Sequence, residues 1–322
     1  MSVVAVDGLV KRFGATTALA GVSFDVRPGE LFGLIGPDGA GKTTLFRILV
    51  TLLRPDAGRA TVLGKDAVRD FRDLRQRIGY MAGRFSLYPD LSVEENIRFF
   101  ASVFGTSLEA EQSRIAPIYV QLEPFKDRRA AALSGGMKQK LALCCALVHR
   151  PEVLFLDEPT TGVDAVSRRE FWDLLGVLTR EGLTTIVSTP YMDEATRCGR
   201  IGLIDQGRLV AVDTPDGIRR AYGRPLIGVR VADRHRAIAA LRAHPQAHSV
   251  FPFGETIHVS GAHVSPGDAL AVDVREFLRA RGFADADAAS IDPTVEDVFI
   301  DLMGAQPPAA STAGAAGTEV RS

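Results

Sequence analysis

Residues 36–44 read GPDGAGKTT and match the pattern G-x-x-x-x-G-K-[ST], which is typical of a phosphate-binding loop (P-loop). An apolar run, LFGLI at 31–35, precedes the loop, and a helical pattern from Thr44 to Leu53 follows it. Glycines let successive backbone N–H groups point at one anion, and the start of the next helix adds its positive end. A glycine-rich turn without a ligand is the alternative, but the flanking strand and helix patterns favour a nucleotide site.

The loop residues have expected parts in nucleotide binding. The Lys42 ammonium would reach the β- and γ-phosphates, and the Thr43 hydroxyl would bind Mg²⁺. The predicted nucleotide-binding residues are Gly36, Pro37, Asp38, Gly39, Ala40, Gly41, Lys42, Thr43 and Thr44.

Length and composition narrow the class of protein. The 322 residues suggest two domains, and a formal net charge of −1 gives no basic surplus, so no nucleic-acid partner is expected. The longest apolar runs, 141–148 and 153–156, fall far short of the about 20 residues that span a bilayer. Charged residues near the N-terminus argue against a signal peptide. The adjacent Cys144 and Cys145 are expected in the core of a protein from a reducing compartment.

Two carboxylates follow a second apolar run. VLFLDEP at 153–159 reads as a buried parallel strand that ends in Asp157 and Glu158. Asp157 can hold Mg²⁺ through water, and Glu158 can orient or deprotonate an attacking water. Acidic residues are common at strand ends, so the pair gains its significance from the P-loop that precedes it.

Two further features suggest contacts to a nucleotide. LSGGM at 133–137 opens an amphipathic helix, and its free N–H groups and hydroxyl form a second anion-binding arrangement. Phe13 is predicted to lie in a loop, where an exposed ring could stack on adenine. Core packing of Phe13 is an equal alternative on the residue pattern alone.

The alternation of strands and helices predicts the fold. It indicates a mostly parallel sheet with the nucleotide at the carboxyl ends of its strands, and a hairpin joins 200–204 to 209–212. The pattern changes near Tyr222, and the segments beyond it indicate a small α+β domain.

Five of the six histidines lie in that part; Pro245 disfavours a helical metal pair of His244 and His248, so packed or solvated histidines are favoured. The expected divisions are a first domain at 1–222 with a helical subdomain at about 85–150, a second domain at 223–303 and a disordered tail at 304–322.

Taken in order, the motifs resemble the ATP-binding cassette (ABC) family of ATPases. The resemblance covers 3–222 and rests on the P-loop, LSGGM, Asp157-Glu158 and the TGVD loop at 161–164. It implies an α/β P-loop NTPase cassette with a parallel core sheet, an antiparallel β edge and a helical subdomain. Three motifs look like the ATP-binding subunits of ABC-2-type exporters, which include drug and multidrug exporters: LSGGMKQK at 133–140, YMDEA at 191–195 and PTVEDVF at 293–299. The C-terminal domain would be the accessory domain of that group.

The resemblance implies a mechanism as well as a fold. Two cassettes would pair head to tail, each ATP lying between one P-loop and the partner's LSGGM, and a separate integral-membrane permease would hold them at the cytoplasmic face of the membrane. Phe13 matches the aromatic residue that stacks on adenine. The residues that serve one site with ATP and Mg²⁺ would be Lys42, Thr43, Asp157 and Glu158. Those that close on the ATP of the other cassette would be Ser134, Gly135 and Gly136, called here the signature residues.

Two positions depart from the family pattern. Gly83 stands where the family places a glutamine that senses Mg²⁺ and the attacking water, and Pro190 stands where it places a histidine that contacts the γ-phosphate. Proline has no N–H and no side-chain donor, so it cannot substitute. We therefore expect a degenerate site that binds ATP but hydrolyses it slowly, in a heterodimer with a cassette that carries both residues. A homodimer that hydrolyses slowly through Glu158 is the alternative.

Other functions compete with that of an exporter ATPase. A regulatory cassette that binds ATP with little or no hydrolysis is favoured by Gly83 and Pro190 and disfavoured by Glu158. A soluble ABC ATPase of translation or DNA repair would usually carry two cassettes in one chain or a long inserted coiled coil, and the sequence shows neither.

Overall fold

The computed structural model describes residues 2–84, 86–262 and 267–304. The chain divides into two compact units at the junction of Ala221 and Tyr222. Nearly all of the predicted tail at 304–322 lies outside the described residues. Within the described ranges, no helix combines the length and the apolar character needed to cross a membrane.

The first unit alternates strands with helices. Its strands are β1 Val4–Phe13, β2 Thr16–Val26, β3 Leu31–Ile35, β4 Ala57–Val62, β5 Lys65–Asp66, β6 Ile78–Met81, β7 Val153–Asp157, β8 Thr184–Thr189, β9 Arg200–Asp205 and β10 Arg208–Asp213. Its α-helices are α1 Lys42–Leu49, α2 Phe71–Arg77, α3 Val93–Val103, α4 Leu108–Tyr119, α5 Gly135–Leu147, α6 Ala165–Arg180 and α7 Pro215–Arg220. Short 3₁₀ helices cover Glu123–Phe125, Ala130–Ala132 and Met192–Arg197.

A six-stranded sheet with the order β10-β9-β3-β8-β7-β6 forms the centre of this unit. All neighbours are parallel except β10, which pairs antiparallel with β9 and confirms the predicted hairpin. Every residue of β3, β7 and β8 is buried, as expected for parallel strands with both faces covered. Because parallel strands end at one edge, the loop after β3 and the carboxylates at the end of β7 lie at the same edge of the sheet.

A second, antiparallel sheet with the order β2-β1-β4-β5 completes the first unit. Its apolar side chains share one core with α1 and with the central sheet, through buried residues such as Leu9, Val22 and Phe46. The rings of Phe46 and Phe155 meet edge to face at 5.9 Å, a favoured aromatic geometry. This core fixes α1, and therefore the P-loop, against β7.

The helical part of the first unit begins with a capping box at the start of α3. The Ser92 hydroxyl accepts from the Glu95 N–H at 3.2 Å, and the Glu95 carboxylate accepts from the Ser92 N–H at 2.7 Å. Helices α3, α4 and α5 pack together in this part.

The second unit has the predicted α+β character. Its elements are β11 Leu226–Arg230, α8 Arg234–Leu241, β12 Ala247–Phe253, β13 Thr256–Gly261, α9 Gly267–Arg279, β14 Asp287–Ser290 and α10 Val295–Gly304. The strands form an antiparallel sheet in the order β12-β13-β11-β14, a βαββαβ arrangement with α10 added. Its apolar core lies between the sheet and the helices α8 and α9. The two edge strands, β12 and β14, were not predicted from the sequence.

The last helix, α10, contains residues 295–299 of the closing PTVEDVF motif and packs on the other face of this sheet. His258 points away from the core that holds Ile257 and Val259, and its Nδ1 lies 2.7 Å from Asp297 Oδ1. Burial would raise the pKa of Asp297, but hydrogen bonds from His258 and Thr294 outweigh it and lower that pKa. Within the described ranges, no cluster of three or more histidine, cysteine and acidic side chains could hold a metal ion; His263 lies outside those ranges.

Candidate active site

The P-loop joins β3 to α1 and depends on left-handed glycines. Gly39 has φ +80° and Gly41 has φ +103°, values that other residues rarely adopt. Gly41 is also the N-cap of α1, and no side chain caps that helix. The first N–H groups of α1 therefore remain available for an anion at the loop.

The loop packs closely on its surroundings at both ends. A Cβ at Gly36 would overlap the carbonyl oxygen of Ile204, and one at Gly41 would overlap that of Ala18. The loop can approach β9 and β2 this closely only with glycine at these two positions.

We expect Gly36→Ala to destabilise the chain and weaken nucleotide binding, because its methyl group must displace backbone. Overpacking of this kind costs about 1–3 kcal/mol, which a thermal melt of the full chain would detect. Gly223→Ala is the matched control, since nothing lies within 4 Å of a Cβ there. A Gly36→Ala variant that melts and binds ATP like the parent would contradict the close approach.

Lys42 places a buried ammonium within the loop. Its Nζ donates to the carbonyl oxygens of Gly36 and Pro37, both at 2.9 Å, and lies 3.1 Å from Glu158 Oε1. Only 2% of its side chain is exposed. The positive charge is therefore held at one place, between the P-loop and the end of β7.

Asp157 offers a carboxylate suited to Mg²⁺. It is buried at the end of β7, and the Ser188 hydroxyl donates to its Oδ1 at 2.6 Å. Among the described residues no basic side chain forms an ion pair with Asp157, since Lys42 pairs with Glu158. Thr43, beside Lys42 in the first turn of α1, adds a hydroxyl. Mg²⁺ is commonly held by one or two protein oxygens together with phosphates and water, so the residues present fit it.

Glu158 adopts a strained backbone. Its φ is +50°, which is unusual for a residue with a side chain and costs of the order of 1–3 kcal/mol. Ser188 holds this conformation, because its carbonyl and hydroxyl oxygens both accept from the Glu158 N–H at 3.0 Å. The strain turns the Glu158 carboxylate toward Lys42.

The two departures from the family pattern border this same site. A Cβ at Gly83 would lie 3.0 Å from the Asp157 carbonyl oxygen and 3.8 Å from the Glu158 Cβ. Pro190 directly follows β8, and the carbonyl oxygen of the preceding Thr189 accepts from the Gly36 N–H at 3.3 Å.

Phe13 differs from its predicted place. It is the last residue of β1 rather than a loop residue, because β1 extends to pair Phe13 with Thr16. Its ring is 51% exposed, and the Lys11 ammonium lies 5.5 Å from the ring centroid. The paired strand β2 meets the P-loop at Ala18, so an exposed aromatic ring lies on the hairpin beside the loop.

The signature residues lie at the start of α5. The Ser134 hydroxyl accepts from the Met137 N–H at 3.3 Å and caps the helix. Ser134 and Gly135 are exposed, whereas Gly136 is buried against Ser167 of α6, where a Cβ would come within 2.7 Å of the hydroxyl. The structure therefore brings the signature residues to the start of α6 and leaves two of them on the surface.

Sequence reasoning missed residues that hold the carboxylates. Ser188 bonds to both Asp157 and Glu158, and Thr160 and Thr189 bond to a buried Glu194. A small polar residue at a strand end, such as Ser188, gives no distinctive signal in one sequence.

Several known proteins are similar to this chain. Residues 19–161 match the family model described as ABC transporter. The chain is 44% identical over 220 residues to the probable multidrug ABC transporter ATP-binding protein YbhF of Escherichia coli K12, covering 68% of this chain but only 38% of YbhF. It is 36% identical over 304 residues to the daunorubicin resistance ATP-binding protein DrrA2 of Streptomyces coeruleorubidus, covering 92% of this chain and 94% of DrrA2. The structure of cbiO1 from Clostridium perfringens, part of the ABC transporter complex cbiONQ, matches 68% of this chain and 91% of cbiO1 with a TM-score of 0.62 and 28% identity.

Proposed function

The chain belongs to the ABC transporter family as an ATP-binding protein, and on that premise we propose that it is the ATP-hydrolysing subunit of an ABC-2-type exporter. The names of its relatives, a probable multidrug ABC transporter ATP-binding protein and a daunorubicin resistance ATP-binding protein, support export as the process. One observation carries the proposal: the Lys42 ammonium lies within the P-loop and 3.1 Å from Glu158, at the same edge of the sheet as Asp157.

The roles of the residues follow from their positions. Lys42 and the N–H groups at the start of α1 would bind the phosphates of ATP. Thr43 and Asp157 would hold Mg²⁺, which neutralises charge on the phosphates when bound. Glu158 would orient the attacking water and accept its proton. Phe13 would stack on adenine.

The signature residues would serve a second cassette. Ser134 and Gly135 are exposed at the start of α5, where free N–H groups and the helix dipole favour an anion. We propose that they bind the ATP held by the P-loop of the paired cassette.

We further propose that this chain's own site is degenerate. A side chain at position 83 would begin beside the Asp157 carbonyl oxygen and the Glu158 Cβ, and one at position 190 would follow the strand end that bonds the P-loop. Glycine and proline supply no side-chain donor at either position. Since losing one transition-state donor costs about 10²–10³ in rate, this site would bind ATP and hydrolyse it slowly. A heterodimer with a fully equipped cassette is favoured over a homodimer. A regulatory cassette is the second candidate, and the same two residues favour it.

A groove on the first unit suits a helix of the membrane permease. The groove has a volume of about 440 Å³ and is lined by residues of α2, α3, α5, β6 and the segments after α1 and β6, with Arg75 and Gln76 of α2 among them. Leu52 and Val103 on its wall are each 57% exposed, and Tyr80 and Phe100 add aromatic surface. Exposed apolar surface of this kind marks an interaction site. We propose that a permease segment binds here and holds the chain at the cytoplasmic face of the membrane.

We expect Leu52→Glu to release the permease, because a charged side chain would replace an apolar one in the contact, and Arg75 in the groove already bonds to Thr51. The tagged full chain would be purified from detergent-solubilised membranes of its source cells, and co-purified polytopic membrane protein counted by mass spectrometry. Leu52→Glu should retain at least about tenfold less of it than the parent. ATP binding should stay unchanged, which separates loss of the partner from unfolding.

Val120→Glu is the matched control for this experiment. Val120 is 60% exposed at the end of α4 and does not line the groove. Equal loss of the membrane protein in both variants, or its retention by Leu52→Glu, would contradict binding at the groove.

A further inference from the structure

The YMDEA motif at 191–195 follows Pro190 and places a carboxylate inside the first unit. Glu194 lies in the 3₁₀ helix Met192–Arg197 and is 3% exposed. Its Oε1 accepts from the Thr160 hydroxyl at 2.8 Å, and its Oε2 accepts from the Thr189 hydroxyl at 2.5 Å. Each carboxylate oxygen therefore has a hydrogen-bond donor, as a buried carboxylate requires.

The two threonines lie on either side of Glu158. Thr160 belongs to the loop that Glu158 begins, and the bonds Thr161 N–H to Glu158 O, 3.3 Å, and Val163 N–H to Thr160 O, 3.2 Å, shape that loop. Thr189 ends β8 next to Ser188, which holds the strained Glu158 N–H. Glu194 thus joins the loop after Glu158 to the strand end that supports Glu158.

A cation from α6 secures the same motif. The Arg168 guanidinium lies 3.3 Å from Asp193 Oδ2 and 3.8 Å from Glu194 Oε1, and it stacks over the Tyr191 ring at 5.0 Å. Arg168 lies in the first turn of α6, directly after the loop at 158–164. The YMDEA motif is therefore bonded to the loop at 158–164 through Thr160, and to the helix that follows this loop through Arg168.

We propose that Glu194 is a positioning residue for ATP hydrolysis. Through Thr160 and Thr189 it holds the loop of Glu158 in the strained backbone that directs the carboxylate toward Lys42. The Thr189 hydroxyl that donates to Glu194 also accepts from the Tyr191 N–H at 3.1 Å, across Pro190. This inference rests on the proposed role of Glu158 in hydrolysis.

The test compares Glu194→Gln with Asp193→Asn. Glutamine keeps one acceptor oxygen but presents an NH₂ group to the second hydroxyl, which must turn to accept from it. The negative charge is lost, so two charge-assisted hydrogen bonds become weaker neutral ones, one of them reversed. Asparagine at 193 removes a neighbouring charge and leaves both bonds from the threonines intact. Amide hydrogen exchange of the full chain without nucleotide should become at least about tenfold faster in peptides covering 157–164 for Glu194→Gln alone. Peptides from α1 should exchange at the parental rate in both variants.

A second pair of variants guards against a Glu194→Gln chain that does not fold. Thr160→Val removes one donor at constant shape and should reproduce the faster exchange, whereas Thr160→Ser keeps the hydroxyl and should not. ATP turnover should fall in parallel with exchange, with KM changed by no more than about twofold, since an interaction absent from ground-state binding affects kcat alone.

The outcomes separate this inference from the proposed function. Unchanged exchange at 157–164 in Glu194→Gln and Thr160→Val, or equally faster exchange in α1, would overturn the positioning role and leave Glu194 a general structural residue. Faster exchange at 157–164 with no ATP turnover in any form of the chain would support the positioning of the loop and count against hydrolysis at this site.

Discussion

Glu158→Gln is expected to lower ATP turnover by about 10²–10⁴-fold, the usual contribution of a general base. Glutamine keeps the shape of the side chain but cannot accept the proton of the attacking water. The measurement is phosphate release by the full chain, at a concentration high enough for cassettes to pair, beside nucleotide binding on the same samples.

Nucleotide binding should be no weaker in this variant, and the reason is electrostatic. In the structure the Glu158 carboxylate lies 3.1 Å from the Lys42 ammonium and competes with phosphate for it. Glutamine removes that competing charge, while Lys42 keeps its bonds to Gly36 and Pro37. Loss of turnover and of binding together would instead indicate that Glu158 mainly supports the loop.

Glu152→Gln is the control for Glu158→Gln. Glu152 directly precedes β7, at the opposite end of the strand from Glu158, and pairs with Arg77 at the surface. Exposed pairs contribute only about 0–1 kcal/mol, so turnover should stay close to that of the parent. A Glu158→Gln turnover within a few-fold of this control would contradict the role of Glu158.

The sequence was sufficient for the parts of the fold that depend on local pattern. The P-loop, the buried runs of β3 and β7 and the β9–β10 hairpin all combine a short motif with the matching apolar period. These are the elements that place Lys42 and Glu158 at one edge of the sheet.

The missed strands show where local pattern fails. β12 and β14 are the two edges of the C-terminal sheet, so each pairs with one neighbour only. β12 contains Pro252, which an edge strand tolerates, and β14 is the short run DAAS with little β propensity. Both strands form because β13 and β11 offer free backbone partners, which is a property of the folded sheet and not of either segment.

The motifs of the candidate site could be predicted from the sequence, but the residues that hold Glu158 in place could not. The positive φ of Glu158 contradicts its residue type and persists because Ser188, thirty residues on, bonds its N–H. Glu194 was visible only as part of a motif typical of a subfamily. Its burial and its bond to Thr160, 34 residues away, depend on the tertiary fold.

Gly83→Gln combined with Pro190→His is expected to raise the turnover of this chain by about 10–10²-fold, because each change supplies a donor that the site lacks. The gain in turnover should be smaller than two well-placed donors would give. The Cβ at 83 would lie 3.0 Å from the Asp157 carbonyl oxygen, so the backbone must shift by a few tenths of an ångström. Phosphate release by the full chain would be compared among the parent, both single variants and the double variant.

Pro190→Ala separates the new donor from the relief of the proline constraint. Proline restricts the preceding Thr189 to extended backbone. Alanine frees the turn and restores a backbone N–H but adds no side-chain donor, so turnover should stay at the parental level. A parent that already turns over near the median of about 10 s⁻¹ for working enzymes would contradict the degenerate site and favour a homodimer. A double variant that gains nothing while binding ATP normally would show that Gly83 and Pro190 do not limit this site, and would favour the regulatory cassette.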